Sequence, residues 1–186
     1  KSAFSGCSNL TSITLSNTLE SIGERCFSGC SSLTTINIPE SVETIGQFVC
    51  EGCPSLSSFT GKFASADGAC LVIDGKLIAY ATDYNAIYTI PSTVSTIGKN
   101  VFKDNSVLTS ITIPESVETI ESMAFLGCSN LSSIICQNAT KAPKGADGMF
   151  DDIADDAKIY VPATAVNMYK EAWQSYVETD NIVAQE

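Results

Sequence analysis

Residues 33–55 read LTTINIPESVETIGQFVCEGCPS, and residues 108–130 read LTSITIPESVETIESMAFLGCSN. Residues 10–32, LTSITLSNTLESIGERCFSGCSS, fall into the same frame. The three segments largely agree on LxSIxIPxSVxxIGxxAFxGCxx, a pattern 23 residues long. A fixed period of this size, with apolar residues at fixed phases, predicts a solenoid. One unit cannot bury its apolar face alone, so neighbouring units stack into a continuous core.

Each phase has a physical reading. Leu33, Ile36 and Ile38 point inward, and the last two alternate with Asn37 at the period of a short strand. Pro39 ends that strand because it cannot donate to a ladder. Val42 and Ile45 form the next inward pair, and Gly46 is expected to permit a tight bend. The pairs Ala3-Phe4 and Ala124-Phe125 predict a short helical turn with Phe inside. Phe4, Phe27, Phe102 and Phe125 share that phase, where Cys50 stands in the third coil. Stacking at about 4.8 Å gives a parallel sheet. Its outer face carries Thr14, Asn37, Thr60, Thr89, Thr112 and Ile135, an uncharged and hydroxyl-rich column.

Composition excludes several functions. Net charge is −11, from 10 basic and 21 acidic residues. Sequence-independent nucleic-acid binding needs Lys and Arg to displace counterions, and anionic membrane surfaces make the same demand. No apolar run approaches the roughly 20 residues that span a bilayer. The absence of histidine removes Ser-His-Asp, Cys-His and His-ligated metal chemistry from this chain.

Of the eight cysteines, Cys7, Cys30, Cys53 and Cys128 occupy one phase of the repeat. A ladder of one residue type predicts a structural position in every coil, with free and mostly buried thiols. Asn105 fills that phase in the coil lacking Cys, which suggests a small buried donor to a neighbouring carbonyl.

The chain reads as one domain: repeats over 1–55, an irregular repeat over 56–84, repeats over 85–133, and a cap over 134–186. It opens on SAFSGC, the tail of a coil, so truncation within a repeat is expected. Asp74-Gly75 between apolar runs predicts a hairpin of residues 70–73 and 76–80. In the cap, residues 158–161 read as a strand ended by Pro162. Thr164 is expected to cap a helix running to about Val177, with Val166, Tyr169, Trp173 and Val177 on one face. That helix should lid the end of the stack, and residues 181–183 return as a short extended piece.

AFSGCSNLTSI, INIPESVETIG and ITIPESVETIE resemble the repeats of BspA-like bacterial cell-surface leucine-rich-repeat proteins. The resemblance covers residues 2–55 and 85–133, and DGACLVIDGKLIAYA and KIYVP are similar to features of gut-commensal members. It implies a right-handed leucine-rich-repeat stack, secreted or surface-exposed. It also implies an interaction role, since some members bind host extracellular-matrix proteins.

Four constellations invite chemistry. Cys50-Glu51-Gly52-Cys53 is a CxxC, a spacing used for zinc or redox work, but both cysteines fall in inward phases. Asp147, Asp151, Asp152, Asp155 and Asp156 suggest calcium, yet lack the spacing of a calcium loop; a solvated loop or a helix N-terminus is the plainer reading. Glu20, Glu43 and Glu118 share a phase, as do Glu40 and Glu115, on an open ridge without the desolvation that acid–base catalysis needs. The column of Thr14, Asn37, Thr60, Thr89 and Thr112 is the candidate binding face, although threonine is also simply a good strand residue.

The expectation is therefore a non-catalytic extracellular interaction module, an adhesin for host matrix protein through the strand face. No metal, cofactor, nucleic acid or membrane insertion is expected, and a monomer is. The alternative is a structural spacer with no ligand of its own.

Overall fold

The computed structural model describes residues 1–185. They group into two compact units, one from Lys1 to Tyr84 and one from Asn85 onward. Each unit is built of β-solenoid coils that meet through parallel ladders.

The first unit contains β1 (Ser21–Ile22), β2 (Thr35–Ile38), β3 (Thr44–Ile45), β4 (Ser58–Gly61), β5 (Cys70–Ile73) and β6 (Lys76–Tyr80). β2 pairs in parallel with β4, Ile36 opposite Phe59 and Asn37 opposite Thr60. Ile36, Ile38 and Phe59 are buried while Asn37 and Thr60 face out, so the period-two reading holds. β1 pairs in parallel with β3. This second ladder, at Ser21-Ile22 and Thr44-Ile45, was not anticipated; its signal is the short polar–apolar alternation that recurs at Thr119-Ile120.

The Phe segment of each coil is a tight turn that carries its own ladder. Arg25, Phe27 and Gly29 donate their N–H groups to the carbonyls of Gln47, Val49 and Glu51 in the next coil, at 3.0, 2.9 and 2.8 Å. Left-handed residues bracket the turn: Arg25 (φ 54°) with Gly29 (φ 73°), then Phe48 (φ 58°) with Gly52 (φ 72°). A left-handed conformation costs a side-chain-bearing residue about 1–2 kcal/mol, which the interlocking ladder must offset. Phe27 is fully buried and stacks on Phe4 with centroids 5.7 Å apart. Cys50 takes the Phe phase in the next coil and is buried; Phe48 instead lies under the Arg25 guanidinium, 4.8 Å from its centroid.

Gly46 serves a different purpose from the bend expected of it. It has no left-handed φ. A Cβ there would overlap the main chain of Glu24 in the coil below, so close approach of backbones requires the glycine.

The hairpin forms at the expected residues, β5 antiparallel to β6, with a register irregularity between Leu71 and Val72. Asp74 (φ 48°) and Gly75 (φ 76°) both adopt the left-handed conformation of a type I′ turn. Leu71 and Leu77 carry its inward face into the core.

The second unit contains β7 (Ile87–Thr89), β8 (Thr96–Ile97), β9 (Ser110–Ile113), β10 (Thr119–Ile120), β11 (Ser133–Cys136), β12 (Lys158–Val161), the helix α1 (Val166–Trp173) and β13 (Ile182–Ala184). Five strands form a parallel sheet in the order β7, β9, β11, β12, β13, and β8 pairs in parallel with β10. A ring stack runs through the core: Phe102 to Phe125 at 4.8 Å, Phe125 to Phe150 at 5.3 Å, and Phe150 to Trp173 at 5.7 Å. Phe150 thus holds the Phe phase where the sequence pattern decays. Phe125 and Gly127 donate to the carbonyls of Met149 and Asp151, so the backbone repeat outlasts the side-chain repeat by a coil.

The cap differs from expectation at both ends of its helix. Thr164 lies inside a 3-10 turn, Ala163–Ala165, and no side-chain cap bond forms. The helix stops at Trp173 rather than Val177. Tyr169 and Trp173 are fully buried, as the spacing predicted. The Tyr169 hydroxyl donates to the Asn138 carbonyl at 3.1 Å, and Trp173 Nε1 donates to that of Pro143 at 2.8 Å.

Candidate functional site

The outward strand positions were read as one column, and each unit presents its own part. In the first unit Asn37 and Thr60 are exposed, and Thr60 Oγ1 donates to Asn37 Oδ1 at 3.0 Å. Beside them Ser58 Oγ donates to Thr35 Oγ1 at 3.2 Å. Thr14 is exposed but lies outside the strands. In the second unit Thr89 pairs with Thr112, Thr112 with Ile135, Ile135 with Tyr160 and Tyr160 with Val183. The neighbouring outward row is Ile87, Ser110, Ser133 and Lys158. Ile87 is 66% exposed.

Tyr160 and Val183 were missed as members of this face. The available signal was the alternation of Tyr160 with Ile159 and Val161, hidden because the repeat had already lapsed there. Lys158, the one charged side chain on these two rows, donates from Nζ to Asn181 Oδ1 at 2.6 Å.

The cysteine ladder is structural. The thiols of Cys30, Cys53 and Cys128 donate to the carbonyls of Phe4, Phe27 and Phe102 at 3.1, 3.0 and 2.9 Å. Every donor lies 26 residues after its acceptor. Asn105 departs from this scheme. Its Oδ1 accepts the N–H groups of Val107 and Leu108 at 2.9 and 3.0 Å, within its own loop. The expected donation to a neighbouring carbonyl does not occur, and Asn105 Nδ2 is buried without a partner among the described residues. All eight cysteines are free, and only Cys7 is exposed. Burial pushes the Cys53 thiol up to about 11 and Cys128 to about 12, and holds Cys50 well above the ordinary thiol range. Buried, protonated thiols are poor nucleophiles and poor metal ligands.

The remaining clusters hold no assembled chemistry. Asp151, Asp152 and Asp155 line a 390 Å³ concavity with Tyr176, Glu178 and Asn181. Asp151 and Asp152 belong to the Phe150 turn and Asp155 to the next turn, none of them to a helix N-terminus. Among the described residues no group of three or more Cys, Asp or Glu side chains is arranged to hold a metal ion. Glu20, Glu40, Glu43, Glu115 and Glu118 are all exposed. No helix among the described residues is long and apolar enough to cross a membrane.

The pattern that defines the BspA type leucine rich repeat region matches six copies, over residues 1–65 and 79–183. Two solved structures share the fold. One is a leucine rich cell surface protein from Faecalibacterium prausnitzii A2-165, 23% identical, with a TM-score of 0.61, covering 93% of this chain and 53% of that one. The other is the pneumococcal vaccine antigen PcpA, 20% identical, with a TM-score of 0.51, covering 91% of this chain and 60% of that one. The chain thus spans little more than half the length of these relatives. No curated protein matches the sequence.

Proposed function

The chain belongs to the BspA-type leucine-rich-repeat family, and from that premise we propose that it is a non-catalytic, surface-exposed interaction module whose outward strand faces form the binding surface. The observation that carries this reading is chemical. On a chain of net charge −11, the outward positions of β2, β4, β7, β9 and β11 bear no charged side chain. Flat, repeated strand surfaces are what repeat proteins use to bind extended partners. The kinship with a protein described as a cell surface protein supports a secreted or surface location. The proposed partners are host extracellular-matrix proteins, which makes the module an adhesin.

The test is adsorption of the chain to immobilised matrix proteins. Saturable binding, weakened by Thr89→Arg and Thr112→Arg, is expected. An unsaturable background equal for wild type and both variants would leave the spacer reading in its place. One observation favours that second reading for the first unit: the Thr60–Asn37 and Ser58–Thr35 bonds occupy polar groups that a ligand would need.

A further inference from the structure

We infer that binding resides in the five-stranded sheet of the second unit, and that its partner is an uncharged polypeptide segment carrying apolar side chains; this rests on the strand-face reading above. The two units differ in how their outward side chains are used. In the first, Thr60 is bonded to Asn37 and Ser58 to Thr35, so polar groups on neighbouring strands satisfy one another. In the second, the side-chain oxygens of Thr89, Ser110, Thr112 and Ser133 have no partner among the described residues, so a ligand gains these bonds without breaking others.

The apolar content differs too. Ile135, Tyr160 and Val183 sit opposite one another on β11, β12 and β13, all half-buried. At a strand spacing of about 4.8 Å they form an unbroken strip beside the free hydroxyls. Aromatic and aliphatic anchors of this kind dominate binding energy where hydroxyls supply register.

Charge selects the partner. The acidic side chains of the Phe150 turn lie off the sheet rows, and the single cation, Lys158, is held by Asn181. A basic segment finds no carboxylate to pair with on these rows, and an acidic segment finds no cation but Lys158, whose Nζ is already bonded to Asn181. The rows also lack the carboxylate and amide groups that pair with vicinal sugar hydroxyls, which favours polypeptide over glycan.

The experiment pans a phage-displayed library of random linear peptides on the intact chain, with a glycan array in parallel. Enriched peptides should be uncharged with apolar residues at alternate positions. Their affinity should fall by about tenfold or more with Ile135→Arg or Tyr160→Arg, the size of a hot-spot loss, and by a clearly smaller factor with Thr60→Arg, while Glu43→Gln, exposed and off the strand rows, stays within about twofold. Unfolding midpoints verify each variant, and the milder Ile135→Thr and Tyr160→Ser replace any that fails to fold. Enrichment of Lys- or Arg-rich peptides, equal sensitivity to Thr60→Arg, or binding of glycans in place of peptides overturns the inference while leaving the strand-face reading standing. If wild type retains neither peptide nor glycan, the strand-face reading falls, and this inference with it.

Discussion

The Cys53 thiol donates to the main-chain carbonyl of Phe27, 26 residues earlier and one coil away, at 3.0 Å. Cys128 and Phe102 repeat the relationship at 2.9 Å. The thiol therefore ties the turn of one coil to the turn before it, at a site that admits no water: Cys53, Phe27, Cys128 and Phe102 are at most 1% exposed. Replacing Cys53 by Ala removes the bond between coils, leaves that carbonyl only the Cys30 N–H of its own turn, at 3.1 Å, and opens a small void. The expected loss is about 1–3 kcal/mol, read from denaturant unfolding. Cys7→Ala, at the exposed end of the ladder, should change stability by less than about 0.5 kcal/mol.

The same burial makes stability fall in alkali. The thiols of Cys53 and Cys128 are raised from 9.0 to about 11 and about 12 by desolvation. In the unfolded chain they ionise near 9, while in the folded chain they stay protonated, so the unfolded state binds fewer protons above pH 9. Their contribution is complete below pH 9 and is lost as pH rises toward 11 and 12. Unfolding midpoints should decline across that window, with a shallower decline in Cys53→Ala and Cys128→Ala. Equal slopes in all three proteins would show that the thiols do not control the alkaline limit.

Asn105 exchanges one job for another. The cysteines at its phase bond to the preceding coil, whereas Asn105 Oδ1 closes its own loop by accepting from Val107 and Leu108. Asn105→Cys, although it restores the repeat pattern, is expected to destabilise by about 2 kcal/mol, because it leaves both N–H groups without that acceptor. Conformity to the pattern predicts the opposite sign, so one unfolding curve decides between them.

The architecture was legible because it rests on repetition. Phe27, Leu33, Ile36 and Ile38 recur at fixed phases, and burial follows those phases closely. Asp74-Gly75 announced its hairpin through turn chemistry alone. What escaped was set by relations between coils. Gly46 is dictated by the main chain of Glu24, which no single repeat contains. Phe150 keeps its place through backbone bonds from Phe125 and Gly127, so its phase survived a lapse in side-chain pattern. Thr164 looked like a helix cap because its type suits one, but Pro162 sets a 3-10 turn instead. The binding face was legible as a column of Thr and Asn; which of those groups bond to each other depended on register.

Gly46→Ala tests the close approach directly. The added methyl falls on the backbone of Glu24, where neither partner can rotate away. A loss of more than about 3 kcal/mol is expected, far above the gain of about 0.4–1 kcal/mol that Gly to Ala brings at an unstrained site. A neutral or stabilising outcome would restore the reading of Gly46 as a flexible bend.

Trp173 is the chain's single tryptophan, so its fluorescence reports on the cap alone. It is fully buried, stands edge-on to Tyr169 at 5.0 Å, abuts Phe150 and bonds to the Pro143 carbonyl. Trp173→Phe keeps a ring against Phe150 but removes the donor, and should cost about 1–3 kcal/mol. Trp173→Ala also ends the ring stack and should cost about 3–5 kcal/mol. If the cap closes the apolar end of the second unit, Trp173→Ala should also expose Phe150, Ile159 and Ile182. Binding of a hydrophobic dye below the unfolding midpoint, in Trp173→Ala and not in wild type, is the expected readout. Dye binding that appears only at the main transition would mean that the sheet shields its own end without the helix.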